Sequence, residues 1–336
     1  MKIIINIYET KIAVEGPDRV VEKIKKDMHF FCETEETVPA VYIYLDLAEP
    51  DYYIIPKDLK AVMYHPEFTM YEKNNSKYID YHGEALSVYI SGSGRIDITS
   101  SSEGLLHELG YLAMLSFAGE MLEEKKIFRI HALGFECHKK GVIIMVPSGG
   151  GKTTLFWELL KSCEINVFSD DVVLIDKKMR MLPFPLRIGI REKQKHLFKD
   201  IPDSFIYEIY RRKYGKKILL DADWYKQKIA LFSNAAVLIS GKRWNSLNCT
   251  IRRCSKCHMY VELFKNFVIG IGLPQLIEYL NLSISLKSFF RLIINTVNRK
   301  IFAFRLVLSC KCFTANLGRN SEYNAKKILE LIEEKE

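Results

Sequence analysis

A chain of 336 residues with 48% apolar and 27% charged side chains has material for one large or two ordinary cores, which excludes a disordered or collagen-like polymer. Lys and Arg outnumber Asp and Glu by 49 to 41, and the net charge of +8 suits anionic partners, nucleotides and acidic peptides among them, without choosing one. Eight cysteines in a chain that opens on MKIIINIYETK, a strand-like start with no export signal, point to reduced thiols in the cytoplasm and to no disulfide framework.

Residues 1 to about 100 read as short strands between turns: KIIINIY, TKIAVEG, AVYIYLDL, KYIDYHG and LSVYISG, punctuated at Gly16-Pro17, Glu49-Pro50 and Asn74-Asn75. After IDITSSS, Leu105, Leu106, Leu109, Leu112, Ala113, Phe117 and Met121 recur at helical spacing, and the helix ends near Glu123 to Lys126. IFRIHALGFECHKK then turns at Lys139-Lys140-Gly141 into VIIMV, whose unbroken apolar run suits a strand buried on both faces.

PSGGGKTT follows at once, and Leu155, Phe156, Leu159 and Leu160 give the next helix its apolar stripe; INVFSDDVVLI is the next extended segment. Strand, loop, helix and strand make an α/β unit. Residues 181 to 230, with prolines and basic clusters, read as an irregular excursion with short helices. AAVLISG is a further buried strand, GLPQLIEYLN and SLKSFFRLIINTVNRK are helices, LVLSCKCF is a last strand, and NSEYNAKKILELIEEK is a closing helix capped by Asn320 or Ser321. Charges interrupt the apolar stretch from 261 to 310, so no membrane span is expected.

A phosphate-binding loop needs backbone N–H groups aimed at one point, a lysine for the terminal phosphates and a hydroxyl for Mg²⁺ at a helix N-terminus. Ser148, Gly149, Gly150, Gly151, Lys152, Thr153 and Thr154 supply all three; only the first glycine of G-x-x-x-x-G-K-[ST] departs, replaced by Val146. That glycine relieves crowding where strand becomes loop, whereas the later three permit the curvature beside the phosphates. Asp170 and Asp171 follow on a strand expected beside the loop strand. One carboxylate can hold Mg²⁺ while its neighbour takes the proton of an attacking hydroxyl, provided the strand ends or kinks there, because adjacent residues on a regular strand face opposite ways.

His131 through Ile175, with its strand histidine, its S-G-G-G-K-T and its Asp-Asp pair, resembles the catalytic core of HPr kinase/phosphorylase, a family that shares its P-loop fold with the ATP-dependent phosphoenolpyruvate carboxykinases. The resemblance is close over about 45 residues and loose from about 129 to 330. It implies an α/β protein, a β-rich N-terminal domain over 1–125 followed by a P-loop catalytic domain over 126–336. Lys152 would contact the β and γ phosphates of ATP, Thr153 and Asp171 would hold Mg²⁺, Asp170 or Asp171 would deprotonate a serine hydroxyl, and His131 would line the site.

The second signature of that family is only echoed by PLRIGIRE, and the layout looks more like relatives encoded with ribosomally made peptides, whose acceptor is a serine of a precursor peptide or free serine. The implied partner is thus a peptide or protein serine, with self-association as a further implication. A nucleotide-binding regulator without phosphotransfer is the alternative, and no nucleic-acid module is recognisable. Arg187, Arg191, Lys193, Lys195, Arg211, Arg212, Lys213, Lys216 and Lys217 form the densest basic region, a candidate phosphate clamp or solvated face. CSKCH, from Cys254 to His258, has zinc-ligand chemistry, with Cys310 or Cys312 as further ligands, but no usual finger spacing.

Overall fold

The computed structural model describes residues 1–33, 38–90, 92–147, 149–162, 164–190, 198–212, 215–269 and 286–333, with side chains beyond the backbone omitted for 286–292. It is a mixed α/β protein built on two nine-stranded sheets and a smaller three-stranded one. Two compact units emerge, one formed by Met1–Leu122, Gly189–Asp223 and Pro274–Phe289, the other by Glu123–Ile188, Trp224–Leu273 and Phe290–Glu336.

In the first unit, β1 (Lys2–Ile7), β2 (Thr10–Glu15), α1 (Asp18–Asp27), β3 (Cys32–Glu33), β4 (Val41–Asp46), β5 (Ala61–His65), β6 (Phe68–Lys73), β7 (Ser76–Asp80), β8 (Ala85–Ile90) and β9 (Arg95–Ser100) precede α2 (Glu103–Glu124). The sheet runs β3-β1-β2-β4-β9-β8-β7-β6-β5. Apolar residues alternate into its core, as Val41, Ile43 and Leu45 do on β4. Helix α2 buries residues on every side, Leu106, Ala113, Met114 and Leu122 completely, so its apolar character is not confined to a stripe. A Cβ on its Gly110 would meet the side-chain ends of Ile24 and Leu45 at 3.1 Å, so the glycine lets α2 approach α1 and β4 without displacing them.

The stretch read as irregular between 181 and 230 contains instead an ordered hairpin. β17 (Ile206–Arg211) pairs antiparallel with β18 (Gly215–Leu220), and with β16 (Ile188–Ile190) they form the three-stranded sheet. Arg211 Nη1 lies 3.0 Å from Glu108 Oε1, and Arg212 donates to the carbonyls of Glu67 and Tyr81 and to Glu84. Two arginines of the basic region are therefore tied into the fold of this unit. Arg191, Lys193, Lys195 and Lys213 lie outside the described residues.

The second unit contains β10 (Ile127–His131), β11 (Leu133–Cys137), β12 (Lys140–Met145), α3 (Lys152–Leu160), β13 (Ile165–Ser169), β14 (Val172–Asp176), β15 (Arg180–Leu182), β19 (Ser233–Arg243), β20 (Thr250–Arg253), α4 (Lys256–Leu263), α5 (Leu286–Ser309), β21 (Lys311–Leu317) and α6 (Ser321–Glu333). Its strands run β10-β14-β15-β19-β12-β11-β13, with β21 also on β19 and β20 on β21. β12 lies between antiparallel β11 and parallel β19, and Val142 to Met145 are all buried, as the unbroken apolar run requires.

Three local readings change. β13 is separated from β12 by β11, so the strand before the aspartates does not lie beside the loop strand. Leu306 to Ser309 belong to the end of α5, and the last strand starts only at Lys311. CSKCH opens a helix, with the Ser255 hydroxyl accepting from the His258 N–H. The helix expected over GLPQLIEYLN lies outside the described residues.

Candidate functional site

The apolar β12 strand delivers the chain to Val146 and Pro147, and the loop closes into α3 at Gly151, the N-cap residue. Gly149 and Gly151 have φ of 79° and 97°, values that L side chains rarely adopt, so these two glycines are required by conformation. Gly150 is required by space: a Cβ there would fall 2.6 Å from Val146 Cγ1 and 2.9 Å from the Pro147 carbonyl oxygen, which already accepts the Gly150 N–H at 2.8 Å. This explains the valine at the motif's opening. Val146 is fully buried, and its two methyls occupy room left by Gly150 on one side and Gly241 of β19 on the other. Ser148 lies outside the described residues.

Helix α3 holds its place through Leu155, Phe156, Trp157, Leu159 and Leu160, all buried, with Trp157 stacked on Trp224 at 5.3 Å. At its far end Lys228 Nζ donates to the carbonyls of Leu160 and Ser162, at 2.5 and 2.6 Å, which satisfies acceptors the helix leaves open. Its N-terminus, with unsatisfied N–H groups and the positive end of the dipole, thus faces the loop on a fixed axis. Lys152, Thr153 and Thr154 form its first turn and are half-buried.

The aspartate pair lies where β13 has ended at Ser169 and β14 has not begun, so neither residue is bound to the alternation of a strand. The Ser169 hydroxyl accepts from the N–H of Val172 at 3.1 Å, and the Asp171 carbonyl accepts from the Ala132 N–H at 3.0 Å. Register places His131 opposite Val172, which brings the histidine to the same corner.

There Lys152 Nζ donates to Asp171 Oδ1, and His131 Nε2 lies 3.3 Å from the same oxygen. Burial acts to raise the Asp171 pKa, but the His131 hydrogen bond and the Lys152 charge outweigh it and hold the carboxyl well below the usual carboxylate range. As a whole residue Asp171 is half-buried, whereas Asp170 is buried. Of the two acids, Asp171 is the one that a solvent-borne molecule can reach.

One neighbour was not legible in the sequence. β19 runs parallel to β12, with Met145 opposite Ser240, so its last residues extend alongside the loop. Arg243, exposed and in no ion pair among the described residues, places Nη1 4.0 Å from where a Cβ on Gly151 would stand. The signal available was an arginine two residues past the apolar run AAVLISG, at the carboxyl end of a strand parallel to the loop strand, where ligands of open α/β sheets bind.

The Asp171 carboxylate on Lys152, and the hydroxyl of Thr153 next to Lys152 in the first turn of α3, are hard oxygen donors of the kind Mg²⁺ takes. A cleft of about 660 Å³ opens elsewhere, lined by Glu158, Lys161 and Ser162 at the far end of α3 and by Glu322, Lys326 and Glu330 of α6. It is distinct from the loop, and its wall of opposed acids and lysines presents no comparable cradle. The ligand atoms of Cys254, Cys257 and His258 do not gather within 4.8 Å of one another.

No protein-family profile matches the sequence, and no curated protein does. Among solved structures, the Hpr(Ser) kinase/phosphatase from Coxiella burnetii is similar at 16% identity and a TM-score of 0.22, over 38% of this chain and 76% of that one. At this score no property of that enzyme passes to this chain. No described helix is long and apolar enough to cross a membrane.

Proposed function

We propose that the chain is an ATP-dependent kinase that transfers the γ-phosphoryl group to a serine hydroxyl of a peptide or protein. The observation that carries this reading is the meeting of Lys152 and His131 on one oxygen of Asp171, next to a glycine cradle at a helix N-terminus. In that scheme the loop N–H groups and Lys152 hold the β and γ phosphates. Mg²⁺ bound by Thr153 and a carboxylate of the pair would neutralise phosphate charge.

Asp171, the exposed acid, takes the proton of the acceptor hydroxyl as its oxygen bonds to phosphorus and the bridging bond to ADP breaks. Lys152 cannot serve both partners fully. As phosphate draws the ammonium from Asp171, the carboxylate loses one of the two groups that depress its proton affinity, so ligand binding itself makes Asp171 a better base. His131 remains to orient the carboxylate.

The test is transfer of label from γ-labelled ATP to serine peptides and to free serine, with Lys152→Ala as control. The expected result is a labelled acceptor and a loss of at least about a hundredfold in the variant, with its fold unchanged by circular dichroism. Nucleotide binding with no labelled acceptor of any kind would favour a regulator, and full activity in Lys152→Ala would end the proposal.

A further inference from the structure

The other end of the β11–β12 hairpin carries a second group of ligating side chains. Cys137 closes β11, fully buried, and His138 and Lys139 form the two-residue turn to β12. Glu164 immediately precedes β13, which pairs with β11 so that Ile165 stands opposite Cys137. One ligand atom each from Cys137, His138 and Glu164 lies within 4.8 Å of the others. Glu333, in the last turn of α6, brings Oε1 to 3.8 Å from His138 Nε2.

Two neighbouring residues of a strand point to opposite faces, so Cys137 and His138 could not share a target if the strand continued. They share one because His138 and Lys139 both turn left-handed, at φ of 50° and 62°. Such turns favour Asn-Gly, and His138 and Lys139 stand in their place here. From bond lengths of about 2.0 to 2.3 Å, tetrahedral ligands stand about 3.3 to 3.6 Å apart, so a pair at the 4.8 Å limit needs to contract by about 1.2 to 1.5 Å.

We infer that Cys137, His138, Glu164 and Glu333 form a binding site for a zinc-like divalent transition metal, joining the β11–β12 hairpin to the start of β13 and the end of α6. A thiolate and an imidazole select borderline-soft ions over Mg²⁺ and Ca²⁺, so the ion differs in class from any that the glycine loop would take. Each chain holds one ion. Lys140 Nζ, which donates to the Ile332 carbonyl at 3.0 Å, already links the same hairpin to the same helix end, and the metal adds four ligand bonds around that link.

The test is titration of the purified, metal-free full chain with Co²⁺. One ion per chain should bind, with a thiolate-to-cobalt charge-transfer absorption that excess Mg²⁺ leaves intact and Zn²⁺ displaces. Cys137→Ser should remove that absorption. Because Cys137 is buried and its replacement can fail to fold, two surface variants carry the decision: His138→Asn, which suits the left-handed turn, and Glu164→Gln. Each should weaken Co²⁺ binding by about tenfold or more while melting like the metal-free wild type. Absence of stoichiometric binding, or an absorption that both surface variants retain at wild-type affinity, would overturn the site.

Discussion

Replacing Asp171 with Asn should separate the two demands made on that carboxylate. In the proposed kinase, metal-free ATP must draw Lys152 away from Asp171 before the ammonium can serve the phosphates. Unit charges about 4 Å apart attract by about 1 kcal/mol in water and about 4 at an effective dielectric near 20. With Lys152 11% and Asp171 49% exposed, solvent screening leaves about 1 to 2 kcal/mol. Asn keeps the shape and removes the charge, so metal-free ATP should bind about 5- to 30-fold more tightly. Phosphotransfer should meanwhile fall by about 10²- to 10⁴-fold, because no base remains to take the hydroxyl proton. Calorimetric titration with ATP in chelator, paired with single-turnover label transfer, reads both effects. Equal or weaker metal-free binding by Asp171→Asn would refute the reasoning about competition for Lys152.

Arg243→Gln should weaken ATP binding by about 3- to 30-fold and leave AMP binding, if any, untouched, as expected of an exposed guanidinium serving only the outer phosphates; equal loss for both nucleotides would remove it from the phosphate site. Gly150→Ala should lower the melting temperature and weaken ATP binding, and Val146→Gly in the same chain should recover part of both, because the clash is with the valine methyl at 2.6 Å; no recovery would place the strain at the Pro147 carbonyl instead. Since the folded-state pKa of Asp171 is depressed, its contribution to stability is present above the ordinary carboxylate value near 4 and is lost only as pH falls further. In a His131→Asn background, where no imidazole titrates beside the carboxylate, Asp171→Asn should therefore change the unfolding free energy by a constant amount between about pH 5 and 8; a difference that varies across this window would contradict the depressed value.

Legibility followed the distance over which a signal had to act. The loop from Gly149 to Thr154 was readable as a candidate phosphate cradle because such a cradle is built from consecutive residues, and Lys152 takes its place in the first turn of α3. The aspartate pair was readable as chemistry, but its freedom from strand alternation depended on β13 ending at Ser169, and its neighbour in the sheet proved to be β11. Arg243 needed the parallel pairing of β19 with β12, a contact made across roughly a hundred residues of chain that no local period reports. Strands such as β4 showed themselves by alternation, whereas α1 was hidden among strand signals and β17–β18 by charged residues on its exposed face. LVLSCKCF misled because a short apolar run fits a buried strand or a helix end equally well, and here it is both in succession.

The structure of the chain crystallised with a non-hydrolysable ATP analogue tests the central claim most directly. The outer phosphates should lie against the N–H groups of Gly149 and Gly151, with Lys152 turned from Asp171 onto phosphate oxygen. An analogue seated in the cleft between the far end of α3 and α6, with the Lys152–Asp171 contact intact, would contradict it.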